Sequence, residues 1–288
     1  LNTMHAIISL AENQNDVVLQ TESLTARYDE STRTLWNYLH ASPRPCFTEA
    51  LLSDAHQLHS MIRNGEIPVD FYVAASAVPK VFNLGGDLSL FRQCALERDW
   101  DRLTGYAERC IEVLHDLVCG FDQQVISIAL LQGDALGGGF ESALGADFMI
   151  AEQQAKMGFP EVLFNLFPGM GAYSLLARKL GPQPAQRMIL SGEMFSATDL
   201  HNKGLIDQLT LPGQGEQTAR EFIRDTRKHL HGYKSFLEAR RRTTLWTGRD
   251  ELLAVVHDWV KSVKQISERD LRLMDKLVTA QNRLKLAA

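Results

Sequence analysis

A strand pattern followed by a glycine turn and a helix occurs twice in this chain, and this repeat restricts the fold more than any other feature. The apolar run 125–131 precedes Gly137-Gly138-Gly139, which opens a predicted helix over 138–144. Residues 82–87 have the same arrangement, with Gly85 and Gly86 before a helix that begins near residue 88. Glycines permit turns that other residues cannot adopt and let a ligand approach the main chain. The pattern predicts an α/β fold with exposed backbone N–H groups at two helix starts.

Short strand patterns alternate with helical patterns up to about residue 210. Strands are predicted at 17–28, 34–39, 69–75, 125–131, 148–150 and 156–157. Helices are predicted at 48–63, 88–118, 138–144, 171–180, 184–190 and 197–203. After Gly213 and Gly215 the pattern is continuously helical, through 218–230, 234–245 and 251–286. We therefore expect a mixed α/β core over residues 1–212 and an α-helical region over residues 213–288.

Composition excludes several classes of protein. With 288 residues, 45% of them hydrophobic, the chain is long enough to bury a full core. The formal charge of −5 gives no reason to expect a nucleic-acid partner. No apolar run approaches the roughly 18 residues of a membrane span, and residues 1–11 lack the basic start of a signal peptide. The four cysteines contain no CxxC pair, so we expect reduced thiols and a cytoplasmic protein.

Basic residues are concentrated near the end of the sequence. Residues 220–288 hold 16 Lys and Arg against 9 Asp and Glu, so the first 219 residues hold the remaining 14 basic and 26 acidic residues. Arg240-Arg241-Arg242, Lys228 and Lys234 are candidates for contact with an acidic carrier protein or with phosphate. The alternative is that these side chains lie on solvated helix faces or at a subunit interface.

Two glutamates are candidates for acid–base chemistry. Glu141 falls in the first turn of the helix opened by the glycines, and Glu161 follows Pro160. Both have apolar sequence neighbours, and burial in such surroundings favours the protonated carboxyl and moves its pKa toward neutral pH. Each taken alone could equally be a structural salt-bridge partner. Asp87 is expected to cap a helix rather than to take part in chemistry.

Other catalytic arrangements are not indicated by the sequence. The nine histidines contain no HExxH motif, and His56 and His59 are expected at the surface of a helix, so no metal site is predicted. A serine hydrolase is disfavoured because the sequence has no GxSxG elbow. The two glycine turns could instead each donate one N–H to the same carbonyl oxygen, and losing one such donor typically costs about 10²–10³ in rate.

Taken together, the motifs resemble the crotonase (enoyl-CoA hydratase/isomerase) superfamily over about residues 15–275. The segments that carry the resemblance are ordered as in that family: 82–88, 132–141, 160–161, 168–171, 196–197 and 203–207. The resemblance implies a spiral of ββα turns, C-terminal α-helical trimerisation elements and often a dimer of trimers. It also implies that the N–H groups of Gly86 and Gly138 form an oxyanion hole. Glu141 and Glu161 match the two glutamates that hydratases use together, with no resident cofactor and the substrate carried as an acyl-CoA or acyl-carrier-protein thioester.

Within the superfamily, three segments look like the RpfF-type diffusible signal factor synthases of quorum sensing: 83–88, 161–174 and 267–283. Those enzymes dehydrate a 3-hydroxyacyl group on acyl carrier protein and hydrolyse the thioester to a free cis-2-unsaturated fatty acid. The resemblance therefore implies acyl carrier protein and a signal-sensor protein as partners. Where ordinary hydratases often have Ala-Gly-Ala-Asp, this chain has Leu84-Gly85-Gly86-Asp87.

An acyl thioester needs an apolar pocket. Candidate residues for substrate binding are Gly85, Gly137, Met170, Trp259 and Leu277, and we also considered Phe164 and Phe167. The apolar side chains among them could equally be ordinary core. Two alternatives to a signal synthase stay open: an ordinary enoyl-CoA hydratase of fatty-acid metabolism, and a regulatory binding partner of a signal sensor.

Overall fold

The computed structural model describes residues 16–243 and 248–286, with side chains up to residue 279. The start of the chain and the predicted helix end at residue 245 lie outside these residues. The described strands are β1 Val17–Gln20, β2 Leu24–Asp29, β3 Thr34–Leu39, β4 Phe71–Ser76, β5 Val81–Asn83, β6 Ile126–Leu131, β7 Asp134–Leu136, β8 Phe148–Glu152, β9 Lys156–Gly158, β10 Met194–Ser196 and β11 Gln208–Thr210. The described helices are α1 Glu49–Arg63, α2 Leu88–Glu97, α3 Trp100–Val118, α4 Gly138–Gly145, α5 Ala172–Leu180, α6 Pro182–Ser191, α7 Ala197–Asn202, α8 Gly215–Arg227, α9 Leu230–Arg242, α10 Arg249–Val263 and α11 Glu268–Leu286.

Two sheets organise the molecule. The larger has the strand order β1-β2-β3-β4-β6-β8-β11, and the smaller has the order β10-β9-β7-β5. Strands β4, β6 and β8 pair in parallel in the larger sheet, while β5, β7 and β9 pair in parallel in the smaller one. Each successive pair of strands thus contributes one strand to each sheet before the chain enters a helix or a 3-10 turn. The predicted crotonase-type α/β fold, with its ββα repeat, is confirmed.

The core lies on both faces of the larger sheet. Every residue of β6 is buried, as expected for a central parallel strand covered on both sides. Residues of β3, β4, β6 and β8 pack on their outer face against Ala219 and Ile223 of α8 and Leu237 of α9. The opposite face joins a larger apolar cluster that includes α1, α3 and α10. Helices α10 and α11 therefore lie on the side of the sheet opposite α8 and α9.

Three long elements of the sequence prediction are divided in the structure. The predicted strand 17–28 is two strands, because Thr21 and Ser23 form a side-chain-bonded turn between them. The predicted helix 88–118 is interrupted at Arg98, whose φ of +57° is left-handed, and Asp99 then caps α3. The predicted helix 251–286 is α10 followed by α11, since Ser267 and Asp270 form a reciprocal cap that starts a new helix.

Candidate active site

The two glycine turns lie side by side at the ends of neighbouring strands. The first connects β5 to α2, the second connects β7 to α4, and β5 pairs directly with β7. A Cβ on Gly139 would lie 2.1 Å from the Asn83 carbonyl oxygen, and one on Gly85 would lie 2.7 Å from the Leu136 carbonyl oxygen. Only glycines allow this approach, so the two turns can pack together because the sequence has glycine at these positions.

Backbone donors of both glycine turns remain unpaired at this junction. In the part of the chain that the structure describes, no group accepts a hydrogen bond from the N–H of Gly86 or Gly138. The Gly137 N–H, by contrast, donates to the Gly158 carbonyl oxygen at 2.9 Å, and the Gly85 N–H donates to Asn83 Oδ1 at 2.7 Å. Both predicted oxyanion donors are therefore available to a ligand.

Glu141 is held by backbone groups from a distant turn. Its Oε1 accepts hydrogen bonds from the Met170 N–H at 2.7 Å and the Ala172 N–H at 2.9 Å. These donors become available because Gly171, with a φ of +99°, turns the chain immediately before α5. The side chain is almost fully buried. Its orientation is therefore fixed by two bonds at one oxygen, while Oε2 remains for other partners.

Glu161 lies on a 3-10 turn, Pro160–Phe164, directly after β9. Its Oε1 packs against the Gly137 Cα, where a Cβ would come within 2.1 Å of the oxygen. Its Oε2 is buried and has no hydrogen-bond partner among the residues that the structure describes. Burying a carboxyl oxygen without a hydrogen-bond partner costs free energy. In native structures such an oxygen commonly has a functional role, such as binding a ligand or a proton.

Burial changes the acidity of both carboxyl groups. It raises the pKa of Glu161 to about 7. Burial, and then the nearby charge of Glu161, raise the pKa of Glu141 well above its ordinary value, although the Met170 and Ala172 N–H groups act in the opposite direction. Because like charges in one site cannot both ionise easily, the pair retains at least one proton at neutral pH.

Both glutamates open into one largely apolar cavity of about 160 Å³. Of the residues singled out from the sequence, the cavity is lined by Gly86, Gly137, Gly138, Glu141, Glu161, Phe164, Met170, Trp259 and Leu277. Gly85 lies behind this wall, against the main chain of Leu136 and Gly138. Phe167 packs into the core instead and does not line the cavity. The structure thus brings together residues spread from the first glycine turn to the last helix.

Several lining residues carry no motif that sequence reasoning could detect. Phe91, Tyr106, Cys110 and Val256 line the cavity from α2, α3 and α10. They lie in ordinary amphipathic helices, and the sequence does not indicate which part of the molecule each apolar face contacts. The one available signal was the position of Phe91 a single helical turn after Asp87.

Some of the predicted basic contacts serve structural roles. Arg241 is buried, and its guanidinium donates to Asp147 Oδ2 at 2.6 Å and to the Val125 carbonyl oxygen at 3.0 Å. Lys234 donates to Asp70 at 2.6 Å. These contacts attach α9 to the larger sheet, so Arg241 and Lys234 are not free to receive phosphate. The expectation for His59 was also wrong: it is buried between Asp116 and Tyr72.

Comparison with known proteins decides the family. The sequence profile described as enoyl-CoA hydratase/isomerase matches residues 47–270. The chain belongs to the enoyl-CoA hydratase/isomerase family. The matched region includes both glycine turns, both glutamates and Trp259, and it ends before Leu277.

Curated relatives in the family match only part of this chain. The peroxisomal fatty acid beta-oxidation multifunctional protein AIM1 of Arabidopsis thaliana is 31% identical over 188 residues, which cover 65% of this chain and 25% of the relative. Enoyl-CoA isomerase/hydratase fer4 of Mycosarcoma maydis is 41% identical over 108 residues, which cover 36% of this chain and 39% of that protein. The chain therefore spans well under half the length of these relatives.

Solved structures share the fold over nearly the whole chain. Human mitochondrial delta3-delta2-enoyl-CoA isomerase has a TM-score of 0.76 at 17% identity, covering 92% of this chain and 99% of that one. DspI of Pseudomonas aeruginosa has a TM-score of 0.64 at 24% identity, covering 93% and 99%. At these identities the similarity shows the fold alone. In the described part of this family member, no helix is long and apolar enough to cross a membrane.

Proposed function

We propose that this protein adds or removes water across the 2,3-bond of an acyl thioester. The observation that carries the proposal is the pairing of two buried carboxyl groups with two unpaired N–H donors around one apolar cavity. Carboxyl groups with raised pKa values can exchange protons near neutral pH, and paired N–H donors stabilise negative charge on a carbonyl oxygen.

In the hydration direction, Glu141 acts as the base and Glu161 as the acid. The Glu141 carboxylate, stabilised by the Met170 and Ala172 N–H groups, takes a proton from water as the oxygen bonds to C3. The electron pair of the 2,3-double bond moves toward the thioester oxygen, which the Gly86 and Gly138 N–H groups hold. Protonated Glu161 then supplies the proton at C2. Proton transfer between the carboxyl groups restores the starting state, and dehydration follows the reverse path.

The test is hydration of a 2-enoyl-CoA by the purified protein and by Glu141→Gln and Glu161→Gln. General acid or base catalysis typically contributes about 10²–10⁴ in rate, so each variant should lose kcat within that range. Glu152→Gln is the matched control, because Glu152 is also buried but accepts a hydrogen bond from the Gly215 N–H far from the cavity. Full activity in either glutamine variant of the pair would contradict the proposal.

The second candidate is synthesis of a diffusible signal factor. Its support is the resemblance of residues 161–174 and 267–283 to the RpfF-type synthases, with α11 supplying Leu277 to the cavity wall. The reaction would dehydrate a 3-hydroxyacyl carrier protein, and a glutamate would then activate water to hydrolyse the thioester. The names of the curated relatives favour the ordinary hydratase over this candidate.

Mass spectrometry of the products separates the two candidates. The protein would be incubated with 3-hydroxydodecanoyl carrier protein and, separately, with crotonyl-CoA. A free 2-enoic acid that disappears in the Glu141→Ala and Glu161→Ala variants would support the synthase. An untouched carrier substrate together with hydrated crotonyl-CoA would support the ordinary hydratase. A double Glu→Ala variant that still complements a cellular phenotype would instead support the role of a sensor-binding partner.

Association and location are part of this proposal. The family resemblance supports a trimer or dimer of trimers and a carrier-protein or CoA-linked substrate, while the cysteine pattern supports a cytoplasmic setting. Arg241 and Lys234 are already engaged within the chain, so a carrier protein would have to be recognised by other basic side chains.

A further inference from the structure

The availability of the Gly86 N–H depends on how its neighbours are bonded. The Leu84 N–H donates to the Pro45 carbonyl oxygen at 2.8 Å, and the Gly85 N–H donates to Asn83 Oδ1 at 2.7 Å. The Asp87 N–H donates to the Tyr106 hydroxyl at 3.1 Å. Among the described residues of this turn, Gly86 is thus the one whose N–H has no internal acceptor.

The Tyr106 hydroxyl joins the turn to a second segment of main chain. It accepts from the Asp87 N–H and donates to the Phe47 carbonyl oxygen at 2.6 Å. The Phe47 N–H in turn donates to the Gly85 carbonyl oxygen at 2.8 Å. The peptide unit on each side of Gly86 is therefore bonded, directly or through one hydroxyl, to Phe47.

The surroundings keep this hydroxyl in one state and one place. Tyr106 is 2% exposed, and burial raises its pKa well above its ordinary value, so it stays a neutral group that can both donate and accept. Its ring meets the Phe91 ring edge to face at 5.5 Å between centroids. The Phe91 ring in turn packs on Gly86, where a Cβ would lie 2.4 Å from Phe91 Cζ.

We propose that Tyr106 is a positioning residue. Its hydroxyl fixes the 86–87 peptide unit and, through Phe47, helps to hold the 85–86 unit, so that the Gly86 N–H points at the thioester oxygen. This inference rests on the proposed function, because it assigns a purpose to one donor of the oxyanion hole. A second support of the turn is the Asp87 carboxylate, which caps α2 and receives two contacts of 2.8 Å from Arg44.

The consequence of losing the hydroxyl is specific. Without it the Asp87 N–H loses its side-chain acceptor, and the 85–86 and 86–87 peptide units are held less firmly to Phe47. A displaced N–H stabilises the charged transition state less but changes binding of the neutral thioester little. Since a misplacement of about 1 Å can cost up to about 10²-fold, we expect kcat to fall about tenfold with KM almost unchanged.

The test compares Tyr106→Phe with Tyr72→Phe in hydration of a 2-enoyl-CoA. Tyr72 is the matched control, because it is also 2% exposed and its hydroxyl also accepts an internal hydrogen bond, from Asn37 Nδ2 at 2.7 Å. Both variants remove one buried hydroxyl and should lose similar stability. Only Tyr106→Phe should lose kcat. A loss confined to KM, or an equal loss of kcat in both variants, would overturn the proposal.

A spectroscopic measurement separates this inference from the proposed reaction. The absorption maximum of 4-dimethylaminocinnamoyl-CoA moves to longer wavelength when its carbonyl oxygen is polarised. When folded protein is in excess and the ligand is fully bound, the position of the maximum does not depend on the amount of folded protein. We expect a red shift with the unaltered protein and with Tyr72→Phe, and a smaller one with Tyr106→Phe. If the unaltered protein caused no red shift, the oxyanion hole and the proposed function would both be contradicted. An undiminished shift in Tyr106→Phe would overturn only the role of Tyr106.

Discussion

At the scale of single residues, the proton held between Glu141 and Glu161 makes activity depend on pH. In hydration Glu161 must be protonated, and burial raises its pKa to about 7. We therefore expect kcat/KM for hydration to fall as pH rises through about 7, because the acid is lost. At lower pH, where the pair binds a second proton, the carboxylate base is lost and kcat/KM should fall again. A pH profile measured with a 2-enoyl-CoA checks this, and a flat profile between pH 6 and 9 would contradict it.

The same raised pKa has the opposite effect on stability from that of an ordinary ion-paired carboxylate. The folded protein holds a proton on Glu161 that the unfolded chain releases near its ordinary pKa of 4.5. The stabilisation from that proton is complete below the unfolded pKa and is lost as pH rises through the folded pKa of about 7.

Glu161→Gln should remove this pH dependence. Because a shift of one pKa unit corresponds to about 1.4 kcal/mol, the variant should be more stable than the unaltered protein at pH 8 by about 1–3 kcal/mol, with a smaller difference at pH 5. Urea unfolding at both pH values measures it. A difference that does not change with pH would show that Glu161 titrates normally in the folded state.

The residues that could be identified from sequence are those whose neighbours along the chain reveal their role. Gly86, Gly138 and Glu141 lie in short motifs with the turn and the helix start beside them. Tyr106 has no such local mark, since its hydroxyl acts between Phe47 and Asp87, which reach it only through the fold. His59 was misplaced for the same reason: its partners lie on α3 and β4.

At the scale of secondary structure, the cavity wall depends on how α11 is held. Helix α11 packs against α2 and the 3-10 turn that carries Glu161. An ion pair between Arg92 and Asp275 joins α11 to α2, and Asn165 Nδ2 donates to Asp270 at 3.5 Å. The helix thereby presents Leu277 to the cavity.

Shortening Leu277 should change which acyl chains are accepted. Leu277→Ala enlarges the cavity, and since each methylene in an apolar pocket is worth roughly 10-fold or more, the kcat/KM ratio of dodecenoyl-CoA to crotonyl-CoA should rise by about tenfold. Leu273→Ala is the control, because Leu273 lies one turn earlier on α11 and packs on the core without lining the cavity. An equal change in both variants would mean that the effect comes from loosening of the helix.

Prediction found most of the elements, but it merged neighbouring ones and missed some of the shortest. Helix α1 begins after its Thr48 cap, as the pattern predicts. Strands β7 and β10, which were not predicted, have three residues each, too few for a period of two to be visible, and their conformation comes from pairing in the smaller sheet. The break between α2 and α3 depends on Arg98 adopting a left-handed conformation, which its residue type does not favour.

At the scale of the whole molecule, Asp147 attaches α9 to the larger sheet. The carboxylate is buried and accepts from the Ser127 N–H at 3.0 Å and from Arg240 and Arg241 at 2.9 and 2.6 Å. The basic segment near the end of the sequence thus partly balances acidic residues of the core. Counting charges along the sequence could not distinguish such internal ion pairs from contacts with an acidic partner, because a local excess of basic residues fits either one.

Removing Asp147 should destabilise the protein without changing its chemistry. Breaking a buried ion pair on one side typically costs about 3–5 kcal/mol, because the remaining charge is left buried and unpaired. Asp147→Ala should show this loss in urea unfolding, with kcat unchanged in the folded protein. Asp225→Ala is the control, since its pair with Lys228 is exposed, screened by solvent and should contribute little to stability. A loss for Asp147→Ala as small as that of the control would refute its role.

The two helices that close the cavity also bear on how such a protein changes over generations. Glu141, Glu161 and the N–H groups of Gly86 and Gly138 lie shortly after strands β5, β7 and β9, whereas Trp259 and Leu277 belong to helices much later in the chain. Substitutions in α10 and α11 can therefore accumulate without moving an atom that takes part in bond making. Descendants of one ancestor could turn to longer or shorter acyl chains through a series of active intermediates, with the reaction itself inherited intact.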